Sequence, residues 1–195
     1  MKNENTPRLE TPRLILRRFQ PGDEDAILEI YSEKETNTFL PWYPMTTRQE
    51  AEEKLAGYLT EYQQPFGCQY AITLRGEDHP IGYIHLGEGD SWDFGYAIRR
   101  AYWGQGLVTE GAEAVLRWLE TTGLPYVTAT HDRENPGSGR VMQKLGMRYC
   151  YSYREQWQPK DIPVVFRLYQ LDLSGPHPDY EKYRTQYPSF VEELG

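Results

Sequence analysis

Two glycines flank a single glutamine in the stretch WGQGLVTEG (103–111), where an aromatic pair gives way to a run with helical spacing. A strand ending at Ile98, a glycine loop and a helix beginning near Gly106 would bring several free backbone N–H groups to the positive end of a helix dipole. Such a point binds phosphate groups, and Gly104 and Gly106 have no Cβ to obstruct their approach. The spacing alone fits a phosphate-binding loop and a tight strand-to-helix turn equally well.

Two common nucleotide-binding motifs are absent from this region. Gly106 is followed by Leu107, Val108, Thr109 and Glu110 before the next glycine, so the dinucleotide fingerprint GxGxxG fails. The P-loop pattern GxxxxGK followed by Ser or Thr does not occur either. The motif therefore leaves the identity of the phosphate ligand open.

Hydrophobic periodicity predicts the elements that position this loop. Strands are expected at 13–19, 69–74, 80–88, 92–98, 125–130, 147–153 and 164–173, and helices after Asp23, after Thr46 or Thr47, from Gly106 to Gly123 and from Pro136 to Gly146. The order β-α-α-β-β-β-α-β-α-β-β predicts an α/β (α+β) fold with a mixed, mostly antiparallel central sheet of about seven strands and helices on both faces. We expect one domain over residues 1–173 and a C-terminal extension, 174–195, that packs on the domain or on a partner.

Composition narrows the classes of partner. The formal charge of −8, from 29 Asp and Glu against 21 Lys and Arg, argues against nucleic acid as a partner, and it suits either a cationic substrate such as an amine or ordinary solubility. No run approaches the roughly 18–20 apolar residues of a membrane helix, and the N-terminus lacks the apolar core of a secretory signal, so we expect a cytoplasmic chain without membrane contact. Cys68 and Cys150 lack ligand spacing, so we expect buried thiols and no metal site.

Three segments resemble one protein family. WGQGLVTEGAEAVLRWL is similar to the acyl-CoA pyrophosphate loop and following helix of the GNAT superfamily of N-acetyltransferases, and ENPGSGRVMQKLGM resembles the second segment that the family shares. LETPRLILRRFQPGDEDAI resembles the first strand and helix of its ribosomal-protein N-terminal-amine acetyltransferase branch. The resemblance implies a GNAT-like acyl-CoA N-acyltransferase fold, and direct transfer from acetyl-CoA to a protein N-terminus or to a small amine such as an aminoglycoside or polyamine. The oligomeric state stays open between monomer and homodimer.

The resemblance also implies a cofactor site. The expected acetyl-CoA ligands are Ile98, Trp103, Gly104, Gln105, Gly106, Leu107, Val108, Asn135, Ser138, Arg140 and Lys144. Asn135 would bind the pantetheine arm, and Ser138 would either donate a hydrogen bond to the developing thiolate or cap the helix. Arg140 and Lys144, one helical turn apart, would meet the adenosine phosphates or form a solvated helix face. Backbone N–H groups on the strand 94–98 would hold the carbonyl oxygen.

Asp93, on the strand that feeds the glycine loop, is the leading candidate for the base, acting directly or through water. Relatives of this branch often place an acidic residue there, whereas the alternative is a solvent-facing acid in the turn GDSWD. His131, Glu88 and His85 are rivals for the same role. An aromatic wall for the acceptor, or else plain core packing, is expected from Trp42, Tyr43, Tyr58, Tyr62 and Phe66.

Two positions depart from the family pattern. Ala101 stands where the loop pattern Gln/Arg-x-x-Gly-x-Gly/Ala has its polar residue, and Met142 stands seven residues after Asn135, where many relatives have a tyrosine that acts as general acid. These departures suggest an alternative to the enzyme, namely a degenerate acyl-CoA-binding or sensor module.

Overall fold

The computed structural model describes residues 5–194, and their strands and helices follow the predicted order. The strands are β1 (Leu9–Glu10), β2 (Leu14–Arg17), β3 (Gln69–Leu74), β4 (Pro80–Leu86), β5 (Phe94–Ile98), β6 (Tyr126–Asp132), β7 (Arg148–Trp157), β8 (Ile162–Asp172) and β9 (Ser189–Phe190). The helices found in this range are α1 (Glu24–Ser32), α2 (Lys34–Asn37), α3 (Arg48–Glu61), α4 (Leu107–Glu120), α5 (Pro136–Lys144) and α6 (Lys182–Gln186).

The strands form two antiparallel sheets, with the orders β1-β2-β3-β4-β5 and β6-β8-β7-β9. Within residues 5–194 one parallel bridge joins the sheets, between Asp93 and Thr128, and the Thr128 N–H donates to the carbonyl oxygen of Trp92 (3.2 Å). Beyond this bridge β5 and β6 are no longer paired. The prediction of about seven mostly antiparallel strands is confirmed by β2 to β8, but the predicted single sheet is divided at the bridge.

Helices cover both faces of the first sheet, as predicted. Alternate residues of β3 and β4 point to opposite faces, so that Ile72 and Ile84 pack with α4 whereas Ala71 and Tyr83 pack with α1 and α3. Gly111 lets α4 approach this sheet closely, since a Cβ there would lie 3.2 Å from Cδ1 of Ile84. The core therefore fixes the position of α4 against the strand that precedes the glycine loop.

Asp23 and Thr47, which precede predicted helices and have side chains suited to a helix N-cap, play different roles in the structure. Of the two threonines at which the second helix could begin, Thr47 is the N-cap of α3 and forms a complete capping box with Glu50. The Asp23 side chain does not cap α1, because its carboxylate accepts hydrogen bonds from Nη1 and Nη2 of the buried Arg17 (2.7 and 3.0 Å). A buried, bidentate ion pair satisfies both groups, and losing one partner would cost about 3–5 kcal/mol.

The C-terminal segment (residues 174–194) packs on the second sheet of the same chain. Its strand β9 pairs with β7, and Tyr180 donates a hydrogen bond to Oδ1 of Asp90 (2.8 Å). Near its end, the Glu192 carboxylate accepts hydrogen bonds from Nη2 of Arg167 and from Oγ of Ser152 (both 2.5 Å). The boundary at residue 173 stays a prediction.

The cysteine prediction is confirmed: Cys68 and Cys150 are buried free thiols. Among residues 5–194 no helix combines the length and apolarity needed to cross a membrane.

Candidate active site

A cleft of about 830 Å³ opens where the two sheets part. Its walls are β5, β6, the first turn of α4, one face of α5, the loop 39–42 and residues of the C-terminal segment. The predicted site residues that line it are Asp93, Ile98, Trp103, Gly104, Gly106, Leu107, Val108, Asn135, Ser138, Arg140 and Lys144. Residues separated by some 50 positions in the sequence thus meet in one cavity.

Gln105 is the exception among the predicted ligands. Its side-chain Nε2 donates to the carbonyl oxygen of Ala101 (3.2 Å), and its own carbonyl oxygen accepts from Nη1 of Arg13 (2.9 Å). The side chain is therefore directed away from the cleft, and only the backbone of this residue belongs to the loop that borders it.

The glycine loop (residues 103–106) adopts a conformation that favours glycine. Gly104 and Gly106 have φ of +73° and +74°, and Gly106 is the N-cap of α4. The first helical hydrogen bond runs from the Glu110 N–H to the Gly106 carbonyl oxygen (3.0 Å), so the N–H groups of the preceding turn have no acceptor within the helix. The glycine loop therefore presents donors, and a helix dipole, to an anion in the cleft.

Glu110 and Trp103 hold this arrangement in place. The Glu110 carboxylate accepts from Thr11 Oγ1 (2.6 Å) and from Nε of Arg13 (2.6 Å), which fastens the first turn of α4 to the edge of the first sheet. The Trp103 indole donates to the carbonyl oxygen of Ile98 (2.7 Å), which closes the loop against β5. The donors are thus preorganised.

The side of the cleft beside α5 carries uncompensated positive charge. Arg140 and Lys144 are exposed, line the cleft and take part in no ion pair with the described residues. Together with the glycine loop and the first turn of α4, they form what we call the cationic end of the cleft. An anionic ligand such as a pyrophosphate matches this end in charge and in hydrogen-bond donors.

Strand β5 offers further donors along the cleft. The Arg99 N–H donates to Ile81 and the Asp93 carbonyl oxygen accepts from Gly87, so these residues turn their backbone groups toward β4. Because the direction alternates along a strand, the N–H groups of Tyr96 and Ile98 face the opened gap toward β6. An extended amide-containing ligand can pair with them as another strand would.

Asp93 lies where the two sheets part. Its Oδ1 is fully buried and has no hydrogen-bond partner in the described part of the chain. Burial raises the pKa of this carboxyl to about 6. The alternative of a solvent-facing acid in a turn is therefore wrong.

The rivals for the role of base are placed less well. Glu88 is exposed and does not line the cleft. His85 lines it, but burial lowers its pKa to about 4. The pKa of His131 is also lowered by burial, its Nδ1 lies 2.8 Å from the Asp132 carbonyl oxygen, and its buried Nε2 has no partner among residues 5–194. Both imidazoles are neutral near pH 7.

The start of α5 brings Asn135, Ser138 and Tyr96 together. Asn135, not Ser138, is the N-cap, because its Oδ1 accepts from the Ser138 N–H (3.3 Å). The Ser138 hydroxyl is therefore not used as a cap; its Oγ lies 3.1 Å from Oη of Tyr96, and the Tyr96 hydroxyl donates to the Ser138 carbonyl oxygen (2.9 Å). Burial raises the pKa of Tyr96.

Tyr96 is a site residue that the sequence reasoning missed. The position expected to hold a tyrosine, Met142, is 1% exposed and packs in the core. The alternation of Phe94, Tyr96 and Ile98 on one face of β5 was the available signal for Tyr96, but its partner lies 42 residues further along the chain. A tyrosine hydroxyl therefore reaches this part of the cleft from β5 and not from position 142 of α5.

Of the two alternatives for the predicted aromatic residues, core packing is confirmed for most of them. Trp42 lines the cleft, but Tyr58 and Tyr62 are buried in the core, Tyr43 is 64% exposed and Phe66 packs against Trp118. The residues that form what we call the aromatic end of the cleft are Phe39, Trp42, Tyr153, Glu155, Trp157, Tyr183 and Tyr187. Tyr153, Glu155 and Trp157 lie on β7, and Tyr183 and Tyr187 lie in the C-terminal segment. No local sequence pattern predicts where these residues pack.

Comparisons with known proteins agree with this geometry. The family profile described as acetyltransferase (GNAT) domain matches residues 13–148. The chain is 29% identical over 160 residues to the uncharacterized N-acetyltransferase YnaD of Bacillus subtilis (strain 168), an alignment that covers 80% of this chain and 88% of the relative.

Two solved structures show the same fold. A GNAT-family acetyltransferase from Bacillus anthracis superposes with a TM-score of 0.74 at 21% identity, covering 86% of this chain and 99% of that one. RimL, described as a ribosomal L7/L12 alpha-N-protein acetyltransferase in complex with coenzyme A, superposes with a TM-score of 0.75 at 14% identity, covering 85% and 98%.

Proposed function

The chain belongs to the GNAT acetyltransferase family, and from that premise we propose that it binds acetyl-CoA along the cleft and acetylates a primary amine presented near Asp93. One observation carries the proposal: a single cleft has an anion-binding cationic end and, further along, a buried carboxylate without a partner among the described residues. The first suits the phosphates of the acyl donor and the second suits the amine of the acceptor.

The cationic end would hold the CoA part of the donor. The N–H groups of the glycine loop and of the first turn of α4 would bind the pyrophosphate, and Arg140 and Lys144 would meet the adenosine phosphates. Since the Oδ1 of Asn135 caps α5, its amide NH₂ is left to donate to the pantetheine arm. The N–H groups of Tyr96 and Ile98 would pair with the amide and thioester oxygens. When bound, acetyl-CoA supplies the acetyl group as an activated thioester.

Asp93 would accept the proton from the acceptor amine, directly or through one water. An α-amino group has a pKa near 8 and a lysine amine one near 10.4, so most acceptor is protonated at pH 7. A carboxyl with a pKa of about 6 is ionised at that pH and is a stronger base than an ordinary aspartate. Its position at the junction of the sheets, apart from bulk water, keeps this proton transfer local.

Ser138 and Tyr96 would assist the departing thiolate. The Tyr96 hydroxyl donates to the Ser138 carbonyl oxygen, which holds the first turn of α5 against β5, so that the Ser138 hydroxyl can turn from the Tyr96 oxygen, 3.1 Å away, to the thiolate. A donor fixed in this way stabilises negative charge as it develops on sulfur. This pair supplies the hydroxyl groups that Met142 lacks, and it therefore favours an enzyme over a degenerate binding module.

The acceptor is proposed to be a primary amine, either a protein N-terminus or a small amine. The likeness to RimL, whose name specifies an α-amine of a ribosomal protein, supports the first. The aromatic end of the cleft, with the Glu155 carboxylate, supports the second.

Release of free thiol from acetyl-CoA, followed with a panel of primary amines, tests the proposal. We expect release that depends on the amine and saturates with both substrates. Saturable acetyl-CoA binding without release for any amine would identify a sensor instead of an enzyme, and absence of binding would contradict the proposal as a whole.

A further inference from the structure

The C-terminal segment forms part of the cleft. Tyr183 and Tyr187, from α6 and the residue after it, line the cavity beside β7. The segment is fastened on both sides of these residues: Tyr151 donates to the Tyr180 carbonyl oxygen (2.6 Å), and the Arg154 N–H donates to the Pro188 carbonyl oxygen (2.9 Å). Residues beyond the matched family region thus complete one end of the site.

The rings at this end pack as an ordered group. Tyr153 stacks on Tyr183 with ring centroids 5.0 Å apart, and on Tyr187 with centroids 5.4 Å apart. Glu155 and Trp157 follow Tyr153 at alternate positions of β7, so all three side chains are on the same face of the strand and line the same cavity. A carboxylate is therefore held among aromatic rings.

Glu155 and Asp93 both lack a cation. Neither takes part in an ion pair with the described residues, and the Arg and Lys side chains that line the cleft, Arg140 and Lys144, lie on α5 and not on β7 or in the C-terminal segment. After burial, which is the larger cause, the charges of Glu155 and Asp93 both raise the pKa of Tyr153 and of Tyr183. The two carboxylates therefore share one neighbourhood.

The side chains of the aromatic end indicate which chemical group would neutralise its negative charge. Aromatic faces attract organic cations, most strongly where water is excluded, and a half-buried carboxylate binds an ammonium or guanidinium by charge-assisted hydrogen bonds. An amine with one charge can neutralise Asp93 only, which leaves Glu155 with the Tyr187 hydroxyl as its interaction partner but without a cation. A substrate with two cationic groups satisfies both.

We propose that the aromatic end selects an acceptor amine that carries a second cationic group, with Glu155, Tyr183 and Tyr187 binding the group that is not acetylated. The inference rests on the proposed function, and it makes Glu155 a specificity residue and the C-terminal segment part of the acceptor site. Asp93 then faces the reacting amine while Glu155 holds the other end of the molecule.

A matched pair of acceptors tests this directly. 1,4-Diaminobutane and 4-aminobutan-1-ol have the same chain length, and they differ in whether the far end is charged. For the wild-type protein we expect kcat/KM to be at least about tenfold higher for the diamine, the ratio that one charge-assisted contact supplies. In Glu155→Gln this ratio should fall to about two, which reflects only the two equivalent amines of the diamine. Glu193→Gln, which changes an exposed glutamate in the same segment, should keep the wild-type ratio.

Calorimetric titration with acetyl-CoA, performed on the same proteins, separates this inference from the proposed function. The inference would be overturned if the wild type used the two amines equally, if it bound acetyl-CoA but used neither amine, or if Glu155→Gln kept the preference for the diamine. None of these results would contradict the proposed acetyl-CoA site. Absence of acetyl-CoA binding by the wild type would overturn both. An unchanged acetyl-CoA Kd in Glu155→Gln would show that a lost preference does not come from misfolding.

Discussion

The hydroxyl of Tyr96 lies 2.9 Å from the carbonyl oxygen of Ser138 and 3.1 Å from its Oγ, which ties β5 to the first turn of α5 across the cleft. This contact positions a donor where the thiol of the acyl donor would sit. In the proposed function, this pair assists the departing thiolate where Met142 has no hydroxyl.

Tyr96→Phe removes the hydroxyl and keeps the ring. We expect kcat to fall about 10- to 100-fold, because the first turn of α5, which carries Ser138, loses the hydrogen bond that holds it against β5, with little change in the acetyl-CoA Kd. Single-turnover kinetics measure the effect, and Ser138→Ala should produce a loss of similar size. If the two groups act as a unit, the double variant loses much less than the product of the two single losses. Wild-type rates in Tyr96→Phe would exclude the pair from the reaction.

Asp93→Asn removes the proposed base with minimal change in volume. Turnover should fall by at least about 100-fold, within the range that general bases contribute. In the wild type kcat should decline as the pH falls through about 6, because the carboxyl is then protonated and cannot accept a proton. Glu88→Gln, outside the cleft, serves as the control and should keep the wild-type profile. A profile in Asp93→Asn that still shows this decline would assign it to another group.

The same substitution should stabilise the protein at neutral pH. The pKa of Asp93 is about 6 in the folded chain, against roughly 3.9 for an unfolded one, so ionisation costs folding free energy. The wild-type free energy of unfolding should therefore fall as the pH rises from about 4 to about 6. Asp93→Asn should lack this fall, and its free energy of unfolding at pH 7 should be roughly 1–3 kcal/mol higher than that of the wild type. Denaturant unfolding at the two pH values measures it. A loss of stability at pH 7 would indicate that the carboxylate has a stabilising partner.

Glu192→Gln should loosen the C-terminal segment. Hydrogen bonds from Arg167 lower the pKa of Glu192 to about 2, so its contribution to stability is present above about 4.5 and is lost as the pH falls toward 2. At pH 7 we expect a loss of about 1–2 kcal/mol in unfolding free energy and a higher KM for the acceptor, with the acetyl-CoA Kd unchanged. Glu193→Gln is the neighbouring control. An unchanged acceptor KM, in a variant that is less stable, would separate the segment from the acceptor site.

Local patterns predicted the parts of the site that depend on local structure. The glycines at 104 and 106 require backbone conformations that other residues avoid, and Pro136 with Asn135 marks a helix start, so both α4 and α5 could be predicted from the sequence. The contact between Tyr96 and Ser138 and the burial of Asp93 depend on how distant strands meet, which periodicity does not encode.

The differences between the predicted and the observed positions come from tertiary contacts that residue type does not reveal. Asp23 has the residue type of a helix cap, but the guanidinium of Arg17, six residues earlier, binds its carboxylate instead. The sequence leaves Tyr58, Tyr62 and Phe66 open between an aromatic wall and core packing, and they pack in or against the core. The C-terminal segment supplies other aromatic residues of the cleft because β9 pairs with β7, a tertiary contact without a local signal.

In the proposed function, the glycine loop and the first turn of α4 bind the phosphates of acetyl-CoA. Calorimetric titration of acetyl-CoA into the wild type, Gly106→Ala and Gly123→Ala tests it most directly, because Gly123 also has a positive φ (+86°) but lies outside the cleft. Both substitutions strain the backbone by roughly 1–2 kcal/mol, so they are matched for loss of stability. We predict saturable binding to the wild type and to Gly123→Ala, and binding at least about tenfold weaker to Gly106→Ala. Equal affinity in the two variants, or no binding to the folded wild type, would contradict the account.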